Sequence, residues 1–197
     1  EIAVKKHLHD PAFGTCFSAA LLHNYQSRAL YDALLAEARG REQNSDSCAR
    51  ALARTDLPGI EADLAELLPR LDDYYAQSAV AQALVDRKYV PAELALIDWL
   101  QRSSDTSAAV VAWIVVKLDS PGMLDALVRR LARFKSVAPS PELESTLTSL
   151  IAAILFATPQ VNMDRSLLPQ KVVDEFPAAY QAKILALMKD RATVEAK

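Results

Sequence analysis

Prolines punctuate the middle of the chain at the spacing of a helical hairpin. Leu57-Pro58-Gly59-Ile60, Val90-Pro91-Ala92-Glu93 and Ser120-Pro121-Gly122-Met123 each stand just ahead of an amphipathic segment, and their prolines are 33 and 30 residues apart. Proline has a fixed φ and no amide hydrogen, so it suits the first turn of a helix and is excluded from its interior. The interval leaves room for one helix, a turn and a second helix, which predicts stacked helical hairpins.

The rest of the chain agrees with helices. Only four of 197 residues are glycine, while hydrophobic residues make up 51%, enough for a core. Ala and Leu, both strong helix formers, are abundant. No alternation of apolar and polar residues is long enough for a strand. The predicted fold is all-α, with antiparallel hairpins stacked as an α–α superhelix and an irregular helical bundle as the alternative. Residues 1–26 read as an arm and a first short helix, 27–157 as the hairpin repeats, and 158–197 as capping helices.

Local signals place the elements. Thr15 can cap a short helix over Thr15–Asn24, and Ser27 one over Ser27–Ala38, which Gly40 ends as a C′ glycine. Ser47–Arg54 is a short Ala-rich helix. Pro58–Leu71 lines up Ile60, Leu64, Leu67, Leu68 and Leu71, and Asp72 or Asp73 caps the helix that follows, to about Lys88. Pro91–Arg102 turns Leu94, Ile97, Trp99 and Leu100 inward. Asp105 or Thr106 caps Ser107–Leu118. Pro121–Lys135 buries Leu124, Leu127, Val128 and Leu131, and Pro141 starts a helix to about Ala157. Ser166–Phe176 and Pro177–Lys189 close the stack. The second helices share small residues near their starts, at Ser78-Ala79-Val80-Ala81, Ser107-Ala108-Ala109 and Ser145-Thr146, which would let a neighbour approach closely.

With its Pro-led first helices and apolar second helices, the stretch 27–157 resembles the HEAT/armadillo-like α-solenoid class. The resemblance implies a binding protein that uses the second helices and hairpin loops.

Charge and cysteine content narrow the partners. The net charge of −3 argues against general nucleic-acid binding, which needs a basic face. The longest apolar runs, Ala108–Val116 and Leu150–Ala157, are too short to cross a bilayer. Glu1–Asp10 is too polar for a signal peptide, and the chain begins without Met, as a piece of a larger protein would. Cys16 and Cys48 are expected as reduced thiols in a cytoplasmic setting, or in a protein delivered into a host cell.

Four sets of residues bear on chemistry. Gly14-Thr15-Cys16-Phe17-Ser18-Ala19 faintly resembles the nucleophile segment of papain-like cysteine hydrolases, and His23 lies seven residues on. That family places its histidine far downstream, and no histidine follows His23. Seven helical residues also separate the two backbones by about 10 Å. Cys16 is therefore expected as a buried apolar residue, and no catalytic residue is assigned. His7, His9, Asp10, Cys16 and His23 can ligate metals, but their spacing fits no zinc signature, and neither metal nor cofactor is expected. Asp63/Glu66 and Asp72/Asp73 read as solvated faces and caps. Arg129, Arg130, Arg133 and Lys135 read as the wet face of the third Pro-led helix, about two repeats from those acids, a separation that would favour head-to-tail contacts.

The expected function is a protein–protein interaction module, one domain of a larger bacterial protein, with Tyr74, Tyr75, Tyr89, Arg129 and Arg133 as contacts. The bacterial source rests on an Ala-, Leu- and Arg-rich composition. Trp113, inside an apolar run, is expected in the core. The alternatives are an all-helical catalytic domain of a bacterial effector that acts on host proteins, and a nucleic-acid enzyme of the HEAT-like alkylpurine-glycosylase type.

Overall fold

The computed structural model describes residues 27–40, 45–137 and 140–157, together with Asp174, Ala178, Gln181, Ala182, Leu185 and Ala186. The expected helices over 15–24, 166–176 and 177–189 lie outside the described residues, apart from those six. Among the described residues there are eight α-helices and no strand. They are α1 (Arg28–Arg39), α2 (Ser45–Ala53), α3 (Glu61–Leu67), α4 (Tyr74–Asp86), α5 (Glu93–Arg102), α6 (Ala108–Val115), α7 (Pro121–Ala132) and α8 (Pro141–Ala157). Short 3-10 turns follow α3, α6 and α7, and another precedes α5. No helix among the described residues is long and apolar enough to cross a membrane. The chain divides into two compact units, Glu1–Leu96 and Ile97–Lys197.

In the first unit α2 is the central helix. It packs against α1, α3 and α4, which its small residues permit: Cys48, Ala49, Ala51, Leu52 and Ala53 are all buried. α1 contributes Leu30, Tyr31, Leu34, Leu35 and Ala38, and the stripe Ile60, Leu64, Leu67, Leu68 and Leu71 is buried in full. In the second unit α8 packs against α6 and α7, with Leu147, Leu150, Ile151 and Ile154 inward. Second helices of successive hairpins thus touch, α2 with α4 and α6 with α8. Such contacts between neighbouring helices fit a helical bundle or a superhelix.

Side-chain caps mark the starts of four helices. Ser27 Oγ accepts from Leu30 N at 3.3 Å, Asp73 Oδ2 from Ala76 N at 2.7 Å, Ser120 Oγ from Met123 N at 3.3 Å and Ser140 Oγ from Leu143 N at 3.3 Å. Each satisfies an amide that the first turn leaves unpaired. Pro121 and Pro141 open their helices as expected. Pro58 and Pro91 differ. Pro58 sits with Gly59, at φ 74°, in a turn ahead of α3, and Pro91 sits in the 3-10 turn Val90–Ala92 that leads into α5.

Other expectations are corrected. Gly40 ends α1 in extended backbone (φ −65°, ψ 161°) rather than as a left-handed C′ glycine, and its N–H donates to Ala36 O and Glu37 O. Neither Asp105 nor Thr106 caps α6; Ser104 Oγ accepts from Ser107 N at 3.1 Å. Leu94 is 78% exposed, and Leu96 takes the inward place beside Trp99 and Leu100. Trp113 is 40% exposed, not core. Val128 is half-buried, while Leu124, Leu127 and Leu131 are buried. Arg130 is 2% exposed rather than on a wet face.

Candidate functional site

The first unit carries an open groove of about 510 Å³ between α4 and the connection from α2 to α3. Ala79 and Ala83 of α4 form a low wall, with Gln82 and Asp86 beyond them. Leu57 and Pro58 stand opposite. Their small or rigid side chains keep the space open. Tyr75, Ala79, Gln82 and Asp86 follow at i, i+4, i+7 and i+11, so they share one face of α4. Tyr75, 70% exposed, therefore stands one helical turn ahead of the groove wall. Tyr74 braces it edge-on, with ring centroids 5.7 Å apart and planes at 69°.

Arg87 holds the groove in shape. Its Nη1 donates to Ala83 O at 3.0 Å, its Nη2 donates to Thr55 O, and its Nε lies 3.8 Å from Glu61 Oε1. One guanidinium thus joins the C-terminal end of α4 to the α2–α3 connection, through a carbonyl of each. Gln82 Nε2 donates to Asp86 Oδ1 at 2.6 Å. The side chains of Arg54 and Asp56, both exposed on the groove rim, have no hydrogen bond or ion pair with any described residue.

The acidic pair Asp63/Glu66 is fully engaged elsewhere. Arg39 Nη2 donates to Asp63 Oδ1 at 3.0 Å and to Glu66 Oε2 at 2.5 Å, and Arg70 Nη2 donates to Glu66 Oε1 at 2.7 Å. Tyr31 Oη donates to Asp63 Oδ2 at 3.1 Å. Burial, then the Asp63 charge, pushes the Tyr31 phenol above its usual range, and the Arg39 hydrogen bond holds Glu66 below the usual carboxylate range. This network staples α1 to α3, so Asp63 and Glu66 are not left open for head-to-tail contact with the arginines. Of the other acids, Asp73 is the cap of α4.

Of the expected contacts, Tyr74 and Tyr75 are brought together, and Tyr89, half-buried, lies just after α4. Arg129 and Arg133 are exposed in the second unit, where Arg133 Nη1 donates to Gln101 O at 3.0 Å. Their neighbour Arg130 turns inward and binds Ser103 O and Asp105 Oδ1 at 2.7 and 2.8 Å. Cys16, His23, His7, His9 and Asp10 lie outside the described residues. Among the described residues no three His, Cys, Asp or Glu side chains gather to hold a metal. Cys48 is buried, and burial together with the Glu37 charge pushes its thiol up to about 12, so at neutral pH it is not a thiolate nucleophile.

Sequence reasoning missed Arg54, Asp56, Ala79, Ala83, Asp86 and Arg87. The small residues of α4 were a legible signal, and α2 does pack against α4; that Ala79 and Ala83 also border a groove was not legible. No protein-family model, curated protein or solved structure matches the chain.

Proposed function

We propose that this chain is a protein-interaction module that takes a segment of a partner protein along the α4 groove, with Tyr75 as the anchor. The observation that carries this reading is a large aromatic ring standing in solvent one turn ahead of an alanine-walled groove on the same helix face. Tyrosine combines apolar area with a polar tip at little entropic cost, which is why it recurs at the energetic centres of interfaces. A wall of Ala79 and Ala83 lets a partner backbone lie close. Arg129 and Arg133, exposed in the second unit, make a separate contact set for an acidic surface.

The test is affinity capture with the purified chain, read by mass spectrometry and repeated with Tyr75→Ala and with Ala79→Arg, which fills the groove. A genuine partner is enriched by the wild type, weakened roughly 30-fold by Tyr75→Ala and lost with Ala79→Arg, while both variants unfold at the wild-type temperature. Equal enrichment by folded Ala79→Arg would overturn the reading.

A further inference from the structure

We infer that the segment taken by the α4 groove carries a lysine or arginine, which seats against Asp56 and Asp86. The inference rests on the groove reading above and adds the chemistry of the occupant. The Arg87 clamp places the two carboxylates. Arg87 reaches Thr55 O, next to Asp56 in the chain, and Ala83 O, one turn before its own neighbour Asp86. The clamp therefore brings the backbone at Asp56 and the end of α4 at Asp86 to the same end of the groove, from its two walls.

The local charge is lopsided. Arg87 spends its donors on the two carbonyls and lies beside Glu61, so its charge is engaged inside the fold. Arg54, Asp56 and Asp86 remain at the rim, one cation against two carboxylates. Asp86 Oδ1 takes a hydrogen bond from Gln82, which fixes the carboxylate, and Oδ2 has no hydrogen-bond partner among the described residues. Asp56 has none on either oxygen. A cationic side chain can replace water at these exposed oxygens with charge-assisted hydrogen bonds to both carboxylates. An acidic segment would meet Arg54 and be repelled twice.

A dodecapeptide phage library selected on the immobilised full chain tests this. The selected sequences are expected to carry Lys or Arg beside an apolar residue. A synthetic copy should bind the Asp56→Asn/Asp86→Asn double variant about tenfold more weakly, and Arg54→Ala at least as tightly as the wild type. Thermal unfolding checks that each variant is folded. Peptides that Ala79→Arg abolishes, but that lack Lys and Arg or bind the double variant unchanged, overturn this inference and leave the groove reading standing. Peptides that bind Ala79→Arg as well as the wild type, or a selection that yields none, overturn both.

Discussion

Arg130 and Asp105 form an ion pair across a steep gradient of burial. The guanidinium is 2% exposed, the carboxylate 49% exposed, and their nitrogen and oxygen are 2.8 Å apart. Burial lowers the basicity of Arg130 and Asp105 opposes that loss. Arg130 Nε is buried with no hydrogen-bond partner among the described residues, so the pair and Ser103 O are what offset the desolvation of the cation. Removing the two members should therefore have unequal effects. Asp105→Ala leaves a buried cation poorly compensated and should cost about 2 kcal/mol, whereas Arg130→Met leaves only a solvated carboxylate and should cost less. Urea unfolding of both variants decides it; equal losses would mean that the pair acts as an ordinary surface salt bridge.

Leu52 and Leu94 should give opposite results under the same substitution. Leu52 is fully buried in the central helix α2, and Leu94 projects from α5. Leu52→Ala should destabilise the chain by about 3 kcal/mol through lost transfer energy and a cavity. Leu94→Ala should change stability by less than about 0.5 kcal/mol. Thermal or denaturant unfolding measures both, and a costly Leu94→Ala would turn that face of α5 inward.

The two tryptophans offer an optical check. With Trp99→Phe only Trp113 emits, and its partial exposure should give red-shifted emission readily quenched by acrylamide. With Trp113→Phe only the buried Trp99 emits, and the emission should be blue-shifted and protected. Similar quenching constants for the two variants would contradict the outward placement of Trp113.

Alkaline pH should weaken the fold from about pH 9. Cys48 ionises near 12 when folded, against an ordinary value of 9.0, so the unfolded chain loses that proton first. Stability attributable to Cys48 is full below about pH 9 and is lost as pH rises through the folded value. Tyr31, also raised by burial, adds the same sign from a higher starting pH. Cys48→Ala should make the decline begin later, as read by denaturant midpoints across the pH series. Folded wild type should also resist iodoacetamide at Cys48 near pH 8, as peptide mapping would show.

The helices were legible in the sequence because caps and stripes are local. Ser27, Asp73 and the Ile60–Leu71 stripe all act where their spacing places them. The direction of α6 was not legible. All eight of its residues are apolar, so periodicity gives no preferred face, and packing decides that Trp113 points outward. Arg130 was misplaced for a related reason. It sits three residues after Leu127 and four before Phe134, both buried, so its position is a core position, but its charge reads as surface until Asp105 and Ser103 O are known to meet it. Tyr75 was legible as an exposed aromatic near a helix end. The groove beside it was not, because a backbone carbonyl such as Thr55 O leaves no mark in a sequence, and Arg87 makes the groove by binding one.

Gly59 sits in the turn that leads from the groove connection into α3, with its φ at 74° and nothing within 4 Å of where a β-carbon would project. The position therefore selects handedness rather than size. An L-alanine has all the room it needs and still pays about 1 kcal/mol for the backbone. Its mirror image, introduced by chemical synthesis, would adopt that φ without the left-handed penalty and would restrict the unfolded chain.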